Sequence, residues 1–276
     1  MSAPSIALQP VDTRHSGWNA RKAARWTVPV LAALALSRAA SARAVEDQMR
    51  EAAERWVAGD LKTAHELYLE VVNGHPGHFT ALWRLSRVES QLGEETSGED
   101  QRRLVADAVS HARAAIEAKP DSAQGHLALA VALEGQTHRE GAKTRLALSR
   151  EIKSEVDRAI ALDDGLGRAY HVRALWNRRL SSLSFFERAA AHTVLGGVPR
   201  GASMENAVRD LERAIALEPN DVSHHLELGR TYLQLKRRAE ASQELERALA
   251  LPPTSSPRDV VYHNEARELV GKLRKS

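Results

Sequence analysis

Residues 226–253 have the sequence LELGRTYLQLKRRAEASQELERALALPP, and this stretch decides the fold of the chain. Gly229 and Ala241 are small at the two places where a pair of packed helices would cross. Tyr232 is large enough to fill the space beside them, and Pro253 stops the second helix because proline lacks a backbone N–H. The stretch therefore predicts a helical hairpin that ends near Pro253.

Copies of this hairpin extend along most of the chain. The spacing L-G-x2-Y-x8-A-x3-L-x2-A-x4-P is that of the 34-residue tetratricopeptide repeat, or TPR. A first copy has the same kinds of residue at Ala52, Gly59, Ala64, Tyr68, Val71 and Pro76. The ends of the later second helices resemble one another: AAIEAKPDS, RAIALDDGL, RAIALEPND and RALALPPTS. We predict an all-α fold, a right-handed TPR solenoid of about five helical hairpins.

The middle repeats are longer than the standard repeat. The last small residue of each second helix falls at positions 71, 115, 159, 214 and 248, so the excess residues must lie in insertions. The insertion between Ser181 and Gly201 carries apolar residues that a plain repeat does not need, namely Phe185, Phe186, Val194 and Leu195. A last helix, near residues 259–273, has no partner. We expect it to cap a single solenoid domain over residues 45–276.

Residues 1–44 differ in composition from the rest of the chain. A basic region precedes an apolar run from Thr27 to Ser37, and small residues follow it. This order is typical of a cleaved secretory signal peptide, so we predict a targeting segment and export to the periplasm. A mitochondrial presequence is one alternative, because residues 13–44 contain Arg, Ser and Ala and no acid. An uncleaved membrane anchor is the other.

The composition excludes several classes of function. Of the 39 basic and 36 acidic residues, six and one lie in residues 1–44, which leaves 33 and 35. A body so close to neutral does not favour nucleic-acid binding, which needs a basic face. The absence of cysteine excludes disulfides and thiolate catalysis. His224 and His225 are adjacent, so on a helix they point about 100° apart and do not suggest a metal site. We expect no enzyme activity and no cofactor.

The irregular middle of the chain narrows the identification. In SLSFFERAAAHTVLGGVPRGASMENAVRDLERAIALEPN, from Ser182 on, the chain resembles the regulator of microtubule dynamics (RMD) family. The shared features are Phe185-Phe186-Glu187-Arg188, the Gly-Gly-x-Pro turn at residues 196–199, the long third repeat and the final Leu-Pro-Pro. The resemblance covers roughly residues 46–272. It implies an all-α repeat domain that acts as an adaptor without known catalytic residues.

The resemblance also bears on the partners. It implies association with microtubules for animal members, and phospholipid handling at mitochondrial contact sites for one of them. Similar repeat proteins occur in bacteria and are often exported, and the predicted signal peptide places this chain among them. Contact with microtubules is then expected only if the chain is cytosolic.

The first helix of each repeat lines the concave side of a TPR solenoid, so its outward positions are the expected ligand surface. These positions carry Trp83, Arg87, His171, Arg178, Arg179, Arg230 and Gln234. This set is basic, which favours an acidic peptide segment or an anionic lipid head group. Ordinary solvated charge is the alternative explanation.

Two functions follow as hypotheses. The first is a non-catalytic adaptor or scaffold that binds a protein or peptide partner through its concave face. The second is a module that binds or transfers a phospholipid or another apolar ligand, with the insertion at residues 182–199 covering part of the groove.

Overall fold

Every regular element that the structure describes is an α-helix. The computed structural model describes residues 42–137, 140–184, 197, 199, 201–252 and 258–275. Its helices are α1 over residues 42–57, α2 (Leu61–Gly74), α3 (Phe79–Glu95), α4 (Gly98–Ala118), α5 (Ala123–Thr137), α6 (Ala142–Leu162), α7 (Gly167–Ser181), α8 (Met204–Leu217), α9 (Val222–Gln234), α10 (Arg238–Ala250) and α11 (Asp259–Lys275).

The helices pack as successive hairpins. α3 packs on α4, α5 on α6, α7 on α8 and α9 on α10, and each second helix also contacts the first helix of the next hairpin. The first helices α3, α5, α7 and α9 contact one another in order, and α11 continues this row beside α9. The prediction of an all-α TPR solenoid is therefore confirmed.

Small side chains occupy the closest contacts between helices. A Cβ atom on Gly229 of α9 would lie 2.7 Å from Cγ of Leu245 on α10, so a larger residue there would require Leu245 to move. The alanines of the second helices are fully buried at Ala64, Ala115, Ala159, Ala214 and Ala248. The repeat pattern is thus a steric requirement of helices that approach closely.

Capping and turn residues set the helix starts. Asp60 caps α2 and Ser203 caps α8, each by accepting a backbone N–H from the first turn of its helix. Gly59 lies in the turn between α1 and α2 and has a φ of 84°, a left-handed value that glycine adopts without a steric penalty. These local choices fix where each helix begins, and so which of its faces meets the next hairpin.

The helix α11 covers the apolar end of the last hairpin, as the sequence predicts. Its Ala266 and Val270 are buried against Val222, Leu226, Leu245 and Ala248 of α9 and α10. Without α11 this cluster would face water, at a cost of roughly 25 cal/mol for each Å² of apolar surface.

The predicted targeting segment lies mostly outside the described residues, which begin at residue 42. The chain divides into a unit of residues 1–47 and a second unit of residues 48–276. The boundary after residue 44 therefore stays a prediction. Among the helices that the structure describes, none is long and apolar enough to cross a lipid bilayer.

The apolar residues of the insertion also lie outside the described part of the chain. Phe185, Phe186, Val194 and Leu195 belong to this group, so their predicted role stays a prediction. At the end of the insertion the carbonyl of Gly197 accepts a hydrogen bond from Arg150 Nη2 at 2.7 Å. This bond joins the end of the insertion to α6.

Candidate functional site

A groove runs along the row of first helices. Its wide compartment has a volume of about 500 Å³ and is lined by residues of α3, α5, α7, α9 and α11, with two residues of α4. Its narrow compartment, of about 290 Å³, extends to the end of α1. Both compartments are lined by Ser90, Glu94, Val131, Arg168, Arg258 and Tyr262. The solenoid therefore forms one continuous groove from residues that are distant in sequence.

The charges of the groove differ from the sequence prediction of a basic concave face. Its described lining includes four arginines, at positions 87, 168, 230 and 258. It also includes six carboxylates, those of Glu94, Glu134, Glu218, Asp221, Glu227 and Glu265. The sequence prediction failed because it considered the arginines without the acids of neighbouring helices.

Three of the predicted binding arginines form ion pairs within the fold. Arg179 pairs with Glu134, Arg178 with Glu227, and Arg230 with both Glu227 and Glu265. Burial disfavours the charge of Arg230, but the two carboxylates outweigh it and raise the pKa of this guanidinium. These pairs join α5 to α7, α7 to α9 and α9 to α11. The three side chains thus contribute to the alignment of the first helices, and their role in binding stays a prediction.

The remaining predicted residues occupy different environments. Trp83 packs against the core cluster around Trp176, and the Arg84 guanidinium lies 5.3 Å from its ring centroid. Gln234 is exposed at the end of α9. Neither side chain belongs to the described lining of the two compartments, whereas Arg87, His171 and Arg230 do.

Arg87 is the predicted residue whose surroundings best fit a binding role. It lines the narrow compartment and lies 5.2 Å from the ring centroid of Trp56, a cation–π distance. Burial, and next the positive charge of Arg168, lower the pKa of Arg87 to about 10. The carboxylates of Glu218 and Asp221 oppose this shift only in part.

His171 belongs to a buried network that the sequence did not predict. Its Nδ1 lies 2.8 Å from Nδ1 of His224, and Nε2 of His224 lies 2.9 Å from a carboxylate oxygen of Glu218. Burial, followed by the charges of Arg168, His224 and Arg178, lowers the pKa of His171 well below 6.5. His171 is therefore neutral, and the tautomers of the two rings decide which Nδ1 donates and which accepts in this hydrogen bond.

The same network contains the residues best placed to hold a cation. Single ligand atoms of Glu218, Asp221 and His224 all lie within 4.8 Å of one another. Each is already engaged in the fold, however. Asp221 caps α9 by accepting from the backbone N–H of Ser223 at 2.8 Å, and Glu218 accepts from the backbone N–H of Arg168 at 3.3 Å. The hydrogen bonds of the fold account for all three residues.

The start of α11 faces the end of α3 across the groove. Arg258, just before α11, forms an ion pair with Glu94 near the end of α3, and its guanidinium stacks 5.4 Å from the Tyr262 ring centroid. Both residues also line the two compartments. This ion pair links the start of the last helix to the second hairpin, and its residues belong to the lining that the two compartments share.

Comparison with known proteins identifies the family. The sequence profile of the family "Regulator of microtubule dynamics protein 1-3" matches residues 45–274. The chain belongs to this family. The resemblance seen in the irregular middle of the sequence is thereby confirmed.

Relatives of this RMD family member occur in animals. Regulator of microtubule dynamics protein 1 of Mus musculus is 27% identical over 232 residues, which are 83% of this chain and 75% of the relative. The protein 1 of Caenorhabditis elegans is 26% identical over 191 residues, or 69% of this chain and 84% of the relative. Protein 3 of Rattus norvegicus is 28% identical over 190 residues, or 68% of this chain and 40% of the relative.

Solved structures support the fold of this RMD protein. A thermophilic TPR protein of Thermus thermophilus superposes with a TM-score of 0.60 at 19% identity, over 80% of this chain and 98% of that one. PilW, a type IV pilus biogenesis factor, gives a TM-score of 0.53 at 15% identity, over 84% of this chain and 93% of that one. These similarities show the fold alone. The fold and the family together indicate a protein-interaction scaffold with protein partners.

The family corrects the predicted location. Export to a bacterial periplasm is wrong for this RMD protein, because its curated relatives are animal proteins named as regulators of microtubule dynamics. The prediction relied on an apolar run flanked by basic and small residues, a composition that does not specify one compartment.

Several residues of the groove escaped the sequence prediction. Arg168, Glu218 and Arg258 each line it, but they lie at helix ends or in connections rather than at outward positions of the first helices. The repeat frame assigns such positions to turns. The turn-forming stretch DDGLG at residues 163–167 was one available signal, because it places Arg168 in the first turn of the helix that follows.

Proposed function

We propose that this RMD protein is a non-catalytic scaffold that binds a segment of a protein partner in the groove. The observation that carries the proposal is the groove itself, which four successive first helices and α11 line together. Repeat solenoids use such concave surfaces for partners that extend along several repeats. The absence of a catalytic role is part of the proposal and is supported by the fold and the family.

The lining favours a partner segment of mixed character. Val131, Val172 and Leu175 offer apolar contacts in the wide compartment, whose lining also includes charged side chains of both signs. A polypeptide segment with both apolar and charged side chains matches this mixed lining better than a uniformly acidic segment does. Because the relatives are named regulators of microtubule dynamics, a protein associated with microtubules is the first candidate partner.

The described groove does not favour an apolar ligand. The side chains that suggested one, Phe185, Phe186, Val194 and Leu195, lie outside the described residues. The described groove is bordered by many charges, and acyl chains would have to desolvate them.

Filling the groove tests the proposal. Val131 lines both compartments, so Val131→Trp places an indole where the partner segment would lie. Glu117→Trp, on the exposed surface of α4, adds the same side chain outside the groove and serves as the control. Each variant is used as bait in an extract of cells that naturally contain the protein, after circular dichroism has verified folding.

We expect a discrete protein that the unmodified chain and Glu117→Trp capture and that Val131→Trp loses. The captured protein is then purified, and its Kd is measured with all three baits. Equal Kd values for Val131→Trp and the unmodified chain would contradict the groove as the binding site.

A further inference from the structure

Two arginines of the narrow compartment have unused hydrogen-bond donors. A guanidinium has five N–H donors and no acceptor. Among the described residues, none forms a hydrogen bond with the Arg87 guanidinium, which is half-buried and lines the compartment. Nε of Arg168 is buried without a hydrogen-bond partner, and its Nη1 reaches only Ser223 Oγ at 3.4 Å.

The carboxylates that line the same compartment are engaged elsewhere. Glu94 pairs with Arg258, and Glu218 bonds to His224 and to the backbone N–H of Arg168. Asp221 accepts from both the backbone N–H and the hydroxyl group of Ser223. The positive and negative charges that line the compartment therefore balance, but hydrogen-bond donors remain unused. A ligand that supplies acceptors would form hydrogen bonds with these donors.

The electrostatics agree with this surplus. Burial and the positive charge of Arg168 destabilise the charged form of Arg87 and so lower its pKa. A second guanidinium nearby makes the site more attractive to an anion, since each charge–dipole or charge–charge contact is stronger where water is partly excluded. The ring of Trp56 holds the Arg87 guanidinium at 5.2 Å and limits the directions in which it can turn away.

We propose that Arg87 and Arg168 form an anion subsite in the narrow compartment, which binds a carboxylate or phosphate group carried by the partner segment. This proposal rests on the proposed function, which supplies the partner segment. The oxyanion itself is recognised only by the number of hydrogen-bond donors and by their positive charge. Oxyanions match guanidinium donors in two parallel hydrogen bonds, which neither a neutral amide nor an apolar side chain can reproduce.

Small anions test the subsite in the absence of any partner. Isothermal titration calorimetry at low ionic strength is carried out on the full chain with inorganic phosphate, a capped tetraglutamate peptide and a capped tetraglutamine peptide. We expect binding of at least one anionic probe and none of the glutamine peptide. Phosphate alone would indicate a phosphorylated partner, whereas tetraglutamate alone would indicate an acidic one.

Matched double variants locate the binding. Arg87→Gln with Arg168→Gln removes the two donors from the compartment and is expected to weaken binding by roughly tenfold or more. Arg103→Gln with Arg113→Gln removes the same charge from α4, where both arginines are exposed and in surface ion pairs, and should leave the affinity unchanged. Equal loss in the two double variants, or no binding of either anionic probe, would overturn the subsite.

Two further readouts separate the possible failures. If the groove double variant does not fold, the Nε–Hε NMR signals of Arg87 and Arg168 in the unmodified chain decide, and they must shift as phosphate is added. If partner capture is lost in Val131→Trp but retained in full by the groove double variant, the anion subsite is wrong and the groove function stands. If capture survives Val131→Trp, the groove function fails, whatever the result with phosphate.

Discussion

His171 lies in contact with His224 at the groove, and the charge state of His171 links the site to pH. The pKa of His171 is lowered well below 6.5 by burial and by neighbouring positive charges. The folded chain thus binds fewer protons at this residue than the unfolded chain does. The contribution of His171 to stability is complete above about pH 6.5, which is the pKa of histidine in the unfolded chain. It is lost as the pH falls below that value.

Replacing His171 should therefore flatten the acid side of the stability profile. His171→Asn keeps a polar group near Nδ1 of His224 but does not titrate. Urea unfolding between pH 7.5 and about pH 5 is expected to show a smaller decrease in the free energy of unfolding for His171→Asn than for the unmodified chain. A decrease of equal size in both would show that His171 is not the group responsible.

His111 provides a control of opposite sign. Burial opposes its charge, but the hydrogen bond to Glu89 and the charge of that carboxylate raise the pKa of His111. Its contribution to stability is present below about pH 6.5 and is lost as the pH rises through the raised value. His111→Asn should accordingly change how steeply the free energy of unfolding varies with pH above pH 6.5, a range in which His171→Asn should have no such effect.

At the scale of single residues, the sequence predicted the positions of side chains that follow a steric rule. It did not predict the contacts of side chains whose partners are distant in sequence. Gly229 and Ala241 follow from the repeat frame, because every hairpin needs a small residue where its helices approach. The pairing of Arg179 with Glu134 depends on how two repeats stack. No spacing within a single repeat encodes that contact.

The helix α11 is the element on which the end of the solenoid depends. It packs its buried face against α9 and α10, and its other face is exposed to solvent. Val270 and Val261 lie on the same helix, with 5% and 46% of their surface exposed. The cap should therefore contribute to stability through Val270 and hardly at all through Val261.

Valine-to-alanine substitutions at these two positions measure how much the packing of α11 contributes to stability. Val270→Ala should lower the free energy of unfolding by about 1–3 kcal/mol, because it removes two buried methyl groups and leaves a cavity. Val261→Ala should change it by less than about 0.5 kcal/mol. Chemical denaturation of the two variants makes the comparison. Similar values would mean that α11 is not docked as the structure has it.

Elements were predictable where the sequence marks their ends. The cap expected near residues 259–273 is α11 at Asp259–Lys275. The excess residues of the second repeat, GEETSGEDQRR at 93–103, lengthen α3 and α4, which are 17 and 21 residues long. Polar residues with helix propensity fit an exposed loop as well as a helix, so composition alone could not decide between the two.

At the scale of the whole molecule, the groove depends on the sum of small rotations between repeats. The ion pair between Arg258 and Glu94 forms because α11 comes to face α3 after several hairpins. A sequence specifies each hairpin and its neighbour, but the rotation per repeat sums over the solenoid and depends on the lengths of the insertions. The existence of a concave face could therefore be predicted, and the residues that meet across it could not.

Site-specific photo-crosslinking tests directly whether a partner segment lies in this groove. A benzoylphenylalanine is placed at Leu175, which lines the wide compartment, or at Glu117 on the exposed surface of α4. After irradiation with the bound partner, mass spectrometry identifies the crosslinked peptide. The groove account predicts a single partner segment crosslinked from position 175 and none from position 117. Crosslinks from position 117 alone, or equally from both positions, would contradict it.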